Sequence, residues 1–141
     1  MSQNSVRQGL VLGLAGIATL LFMSHVSAQM LLEGRKFDTQ AGLVGKAAHV
    51  KSDILSFVGG KFHSSDCDQY GYGKGDYKAS SQGDSVSFEV QTQSEQYGRN
   101  DWKGVVKGNQ IEGTMIFHRK ATWWRPNPEP LEHWFKGSAV P

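Results

Sequence analysis

The densest group of side chains that could do chemistry lies between His63 and Asp68, and it contains Cys67, the single cysteine of the chain. A cysteine nucleophile needs a neighbouring base, which His63, His118 or His133 could supply. Zinc requires several thiolate or imidazole ligands at fixed spacing, and one Cys and one His four residues apart do not provide them. We therefore favour a capped turn with a packed thiol, and we predict no catalytic residue, no metal site and no cofactor.

A second unusual stretch covers residues 119–130 and carries proline at every second position from 126 to 130. Proline cannot donate a hydrogen bond to a neighbouring strand, so this segment is predicted to leave the sheet as a semi-rigid flap. Trp123 and Trp124 point to opposite sides of an extended chain, and we expect one to pack on the domain while the other faces outward. The flap is interpreted as a hydrophobic plug or, alternatively, as a lid or protein-docking surface.

The elements that position these residues are predicted to be strands. From Ser85 to Gln91 apolar and polar residues alternate strictly, which places Val86, Phe88 and Val90 on one face. The same period recurs over residues 102–106 and 111–117, and Gly108-Asn109 between them predicts a tight hairpin. The histidine of the last predicted strand, 131–136, lies on the same face as its Leu and Phe.

The upstream half continues this pattern. Gly59-Gly60 and residues 80–84 are further turn signals, residues 31–37 are the expected opening strand, and 47–51 a short additional piece. Apolar residues do not recur at helical spacing over three turns anywhere after residue 28. Seven or eight short strands joined by tight turns predict an all-β antiparallel meander that closes into a small barrel; a β-sandwich is the alternative.

Residues 1–28 predict a signal peptide, because an uncharged apolar run from Gly9 to Met23 precedes Val26-Ser27-Ala28, whose small residues suit signal peptidase. A run of this length is too short for a spanning helix, so no integral membrane segment is expected after cleavage. The prediction is a periplasmic or secreted protein with one domain over residues 29–141. The 15 basic and 13 acidic residues nearly balance, which excludes a nucleic-acid-binding face.

The run from Trp102 to Met115, followed by Glu132 to Gly137, resembles the C-terminal meander of small secreted calycin-type (lipocalin-like) barrels. Residues 61–73 resemble a stretch of uncharacterised bacterial periplasmic proteins of that shape. Gly34 is not followed by the tryptophan of the lipocalin Gly-x-Trp signature. The resemblance implies a barrel fold and does not identify a ligand.

The leading hypothesis is therefore a barrel that binds a small apolar or amphipathic ligand, or a protein partner, at its mouth. A hydrolase or redox enzyme using Cys67 with a histidine base, and an envelope interaction protein whose barrel is filled by Phe88, Trp102, Met115 and Phe117, are the alternatives. The residues predicted to line the ligand site are His63, Cys67, Tyr70, Tyr72, Trp102, His118, Trp123, Trp124 and His133.

Overall fold

The computed structural model describes residues 28–141, and eight strands in this range form one closed barrel. Each strand pairs antiparallel with the next along the chain, and the last pairs with the first. The strands are β1 (Lys36–Leu43), β2 (Val50–Val58), β3 (Lys61–Ser64), β4 (Gly75–Gln82), β5 (Ser85–Ser94), β6 (Gly98–Lys107), β7 (Gln110–Arg119) and β8 (Leu131–Val140). The predicted all-β meander barrel is confirmed, and the sandwich alternative is wrong.

Period-two alternation builds the wall of the barrel as predicted. Val86, Phe88 and Val90 of β5 are buried, while Glu89 and Gln91 between and beyond them are exposed. Because successive side chains of a strand point to opposite faces, the apolar set fills the interior and the polar set faces water.

The predicted opening strand over residues 31–37 is wrong for its first half. Residues 28–32 are helical, Gly34 adopts a φ of +80°, and β1 begins only at Lys36. The positive φ suits glycine and turns the chain between the two elements. The short strand predicted over residues 47–51 is wrong for residues 47–49, which belong to the turn between β1 and β2. The last strand, β8, extends beyond the predicted end at 136 to Val140.

The predicted signal peptide falls on residues 1–27, outside the described part of the chain, and on Ala28, which is buried in the apolar core. Within residues 28–141 no helix is long and apolar enough to cross a membrane.

Gly104 of β6 and Gly113 of β7 are paired directly across the two strands, and both are covered by the ring of Phe135. A Cβ on Gly113 would lie 2.1 Å from the Lys103 carbonyl oxygen, and one on Gly104 would lie 2.6 Å from the Phe88 ring. The two glycines therefore let the wall approach the core aromatic rings closely.

One end of the barrel, here called the closed end, is covered by residues 28–34. Leu32 is fully buried, and the Gln29 side-chain amide donates to the Tyr77 carbonyl at 3.1 Å. The Glu33 carboxylate accepts hydrogen bonds from the Tyr77 hydroxyl at 2.9 Å, from the Gly60 N–H at 3.1 Å and from the Gly59 N–H. These contacts tie the helical segment to β4 and to the β2–β3 turn.

Aromatic rings fill the barrel next to the closed end. Phe57 lies edge-on to Tyr77 and to Phe88, each at a centroid distance of 5.0 Å, and to Phe37 at 6.2 Å. Phe62 contacts the Phe57 ring at 5.4 Å, so the rings form one continuous cluster. Edge-to-face pairs of this kind stabilise a core beyond their buried area alone.

Candidate functional site

The opposite end of the barrel, the mouth, contains a cavity of about 360 Å³. It lies among the β1–β2, β3–β4 and β5–β6 connections and the inner faces of the adjoining strands. The lining residues are Ala41, His49, Val50, Asp53, Asp66, Cys67, Tyr70, Tyr72, Tyr97, Asn100, Trp102, Met115, Phe117 and His133. This volume is at the lower end of the range for small-molecule sites.

The cavity forms because the inner positions change character toward the mouth. Between Val90 and Trp102 and the mouth, the inward-facing side chains of β5 and β6 are Thr92, Ser94 and Asn100. These residues are buried, smaller and polar. Trp102 forms the floor, and its indole N–H donates to the Thr92 hydroxyl at 3.2 Å. The ring cluster of the closed end therefore stops at Trp102.

A buried carboxylate fixes the loop that carries Cys67. Strands β3 and β4 are paired over only two residue pairs, and a 3₁₀ helix, Asp66–Tyr70, follows β3. The Asp53 carboxylate accepts hydrogen bonds from the Ser64 hydroxyl at 2.6 Å, the Ser65 hydroxyl at 3.2 Å and the Asp66 N–H at 3.0 Å. Asp53 thus anchors the start of the 3₁₀ helix from inside the barrel.

Cys67 packs against the core as a neutral thiol. Burial, followed by the negative charges of Asp53, Asp66 and Asp68, raises the thiol pKa to about 11, although a hydrogen bond involving Ser64 partly offsets them. Asn100 Nδ2 lies 3.8 Å from the sulfur. Because a nucleophilic cysteine needs a lowered pKa, this environment disfavours thiolate chemistry.

Asn100 carries the clearest unmet hydrogen-bonding capacity in the cavity wall. The residue is 3% exposed, and its Oδ1 has no hydrogen-bond partner within the described residues. Buried polar atoms are nearly always paired, so an unpaired one calls for an explanation such as an absent ligand. A hydrogen-bond donor bound in the cavity would complete this group.

Two histidines lie together at the rim. The His49 and His133 rings are 5.8 Å apart with a 60° interplanar angle. Burial lowers the pKa of His133, with His49 adding to that effect and hydrogen bonds to the backbone at Leu131 and Met115 opposing it. His133 is therefore uncharged at neutral pH.

Aromatic side chains line the opposite part of the rim. The Tyr70 and Tyr97 rings pack edge-on at 5.5 Å, and both side chains are partly exposed. Tyr72 is buried, and this burial raises its pKa to about 12, so its hydroxyl remains protonated. The mouth thus combines aromatic walls with a small number of polar groups.

Five of the nine predicted site residues line the cavity: Cys67, Tyr70, Tyr72, Trp102 and His133. The structure does not bring the other four, two histidines and two tryptophans, into it.

His63 and His118 point outward and pair with carboxylates. His63 Nε2 lies 2.6 Å from Asp68 Oδ1, and His118 Nε2 lies 2.8 Å from Asp101 Oδ2. His118 alternates with the inward-facing Phe117, so the strand directs it to the outer face. Neither histidine is a hydrogen-bond partner of Cys67.

The flap residues Trp123 and Trp124 are 89% and 66% exposed. The prediction that one of them packs on the barrel is wrong, because the two rings pack against each other at 5.5 Å. An isolated antiparallel β-bridge between Thr122 and Arg125 turns the chain back on itself here, so the flap is not extended at the two tryptophans.

Sequence reasoning missed several lining residues, chiefly His49, Asp53, Tyr97 and Asn100. For Asn100 a signal existed: it lies two residues before Trp102 and so shares its inner face. Asp53 faces inward from β2, as Leu55 and Phe57 do, because the three residues are two positions apart along the strand.

Within residues 28–141 no group of three His, Cys, Asp or Glu side chains is arranged to hold a metal ion. A wider concavity of about 920 Å³ lies on the outer wall, where its edges are charged side chains such as Lys78, Glu89 and Lys103. Alternating charges on the outer positions of strands are typical of a solvated face. The mouth cavity is the stronger candidate.

Comparison of the chain with protein-family models, with curated proteins and with solved structures found no match.

Proposed function

We propose that this protein is a periplasmic or secreted barrel that binds a small apolar or amphipathic ligand in its mouth cavity. The observation that carries the proposal is the contrast within one barrel: the interior is filled with aromatic rings up to Trp102 and is hollow beyond it. Mostly apolar walls with a few polar groups are the usual composition of a small-molecule site.

The architecture supports this reading without specifying the ligand. A closed eight-stranded antiparallel barrel is compatible with the calycin-like fold suggested by the residue pattern of the last strands. The export part of the proposal rests on the residue pattern of positions 1–28. Mass spectrometry of the protein from periplasmic and culture fractions tests it, with a mature chain beginning at Gln29 expected.

A Cys67-dependent enzyme is the weaker candidate. The thiol pKa is raised to about 11, and the histidines that sequence analysis offered as bases include two that are paired with carboxylates on the outer face. The interaction-protein alternative requires a filled barrel, whereas Met115 and Phe117 line the cavity and only partly fill the mouth.

The test of ligand binding uses a variant that fills the cavity. Ala41 lines the mouth from β1 and packs against the core, so Ala41→Phe is expected to occupy the space a ligand would take. Val105→Phe adds a ring at an exposed position of the outer wall and is the matched control. Isothermal titration calorimetry with 2-phenylethanol, and native mass spectrometry of protein purified from its host, are the two measurements.

We expect the native chain and Val105→Phe to bind 2-phenylethanol and to retain a small molecule in native mass spectra, and Ala41→Phe to do neither. Equal binding by all three proteins would place the ligand outside the mouth. No binding and no retained molecule in any of them would refute the proposed function.

A further inference from the structure

The unpaired acceptor in the cavity wall restricts the chemistry of the ligand. Asn100 Oδ1 is buried without a partner, while Nδ2 of the same amide already faces the Cys67 sulfur at 3.8 Å. A ligand completes this group only by donating a hydrogen bond, because an oxygen of an amide has no proton to give. A ligand head with acceptors alone would leave Asn100 unpaired.

Charge in the same wall restricts the ligand further. Asp53 and Asp66 both line the cavity, and with Asp68 they act on the Cys67 sulfur, where they disfavour an anion. The pKa of Asp66 is itself raised, first by burial and then by the charge of Asp53. The carboxylates of Asp53 and Asp66 repel each other, so a cation bound in the cavity would stabilise the charged form of both.

The partly buried His133 does not neutralise these carboxylates at pH 7, whereas the exposed His49 partly offsets the rise in the pKa of Asp66. Burial lowers the pKa of His133, and His49 adds to the lowering. Lys and Arg side chains are absent from the lining of the cavity within the described residues. The mouth is therefore electronegative, and a carboxylate head such as that of a fatty acid fits it poorly.

The remaining walls are aromatic. Trp102 forms the floor, and Tyr70 and Tyr97 form part of the rim. Such rings bind an apolar ligand body and also attract a cation to their faces.

We propose that the mouth cavity binds a small aromatic or apolar primary amine, with its ammonium group donating to Asn100 Oδ1 on the Asp66 side of the cavity. This inference rests on the proposed function, because it names the ligand class of the same site.

Three probes with one skeleton test the head group alone: 2-phenylethylamine, 2-phenylethanol and 3-phenylpropionate, each titrated at pH 7 by calorimetry. A charge-assisted hydrogen bond is about twice as strong as a neutral one, so we expect the amine to bind about tenfold more tightly than the alcohol. The carboxylate should bind most weakly of the three.

Variants locate the head group. Asn100→Leu keeps the size of the side chain but removes the acceptor, and should weaken amine binding about tenfold or more. Asp66→Asn removes one charge and should weaken amine binding roughly three- to fivefold, which is more than it changes 2-phenylethanol binding. Asp84→Asn, which removes an exposed carboxylate at the closed end, is the matched control and should change neither.

Thermal unfolding of each variant establishes that it is folded, and Asp66→Asn retains the test if Asn100→Leu does not fold. Alcohol binding without a preference for the amine, or tighter binding of the carboxylate, would overturn the inference and leave the proposed function standing. Absence of binding by all three probes would overturn the amine assignment, and the retained-ligand measurement above would then decide the proposed function separately.

Discussion

The closed end and the mouth of the barrel are made by the same eight strands but differ in what occupies the inner positions. At the closed end Phe37, Phe57 and Phe62 are fully buried, and residues 28–34 cover them. At the mouth the inner positions include Asn100 with an unpaired oxygen and a cavity of about 360 Å³. The comparison suggests that one half of the barrel supplies stability, while the other half is free to bind.

The largest expected difference between the two ends is the cost of removing a ring. Phe57→Ala should lower the free energy of unfolding by about 3–5 kcal/mol, because the ring is fully buried and contacts several others. Phe117→Ala, at the partly exposed mouth, should cost about 1 kcal/mol, close to the average for point substitutions. Urea unfolding of the two variants measures both. Equal costs would mean that the mouth is packed as a core.

Cys67 gives the next largest effect, because its reactivity depends on how far the inner wall of the mouth excludes water from the thiol. With a thiol pKa of about 11, against a reference of 9.0, the thiolate fraction at neutral pH is reduced about 100-fold. Reaction with a thiol-specific disulfide reagent at pH 7.5 should be slower than that of a free cysteine by about this factor, and should become normal in denaturant. Fast reaction of the folded protein would favour the enzyme reading instead.

Glu33 tests the cover of the closed end through its pH dependence. The Tyr77 hydroxyl, then the Gly60 N–H, lower the pKa of Glu33 below its usual 4.5. A carboxyl with a lowered pKa in the folded state stabilises the protein above its usual pKa, and this contribution is lost as the pH falls through the lowered value. The melting temperature of Glu33→Gln should therefore be below that of the native chain at pH 7, and the gap should close in acid. A gap independent of pH would contradict this assignment.

The sequence predicts the wall of this barrel better than its two ends, for a physical reason. Alternation along a single strand, as in Val86, Phe88 and Val90, contains its own evidence of which side is buried. The helical segment at residues 28–32 shows no such local signal, since Leu32 is buried only because the barrel end lies beneath it. Covers of this kind depend on tertiary contacts distant in sequence.

The candidate site shows the same limit. Cys67 and His133 stand out by residue type, and both line the cavity. The spacing of Asn100 to Trp102 indicates its inward direction, but the hydrogen bonds that the Asp53 carboxylate accepts and the unpaired Oδ1 of Asn100 are seen only in the folded barrel. The outward direction of His118 follows from its strand position, next to the inward Phe117, and could have been predicted.

The smallest expected effect has the opposite sign to that of Glu33 and separates the two ends most directly. The pKa of Asp66 is raised above its usual 3.8, so the folded state binds this proton more readily than the unfolded state. The corresponding stability is present in acid and is lost as the pH rises through the raised value, which leaves the charged Asp66 unfavourable for folding at pH 7. Asp66→Asn should therefore raise the melting temperature slightly at pH 7 and not at pH 3, measured against Asp84→Asn as control. A small gain in stability together with weaker amine binding would mean that the mouth keeps a charge for binding at the expense of folding, as functional sites commonly do. A loss of stability at pH 7 would instead assign Asp66 to the structural support of the 3₁₀ helix.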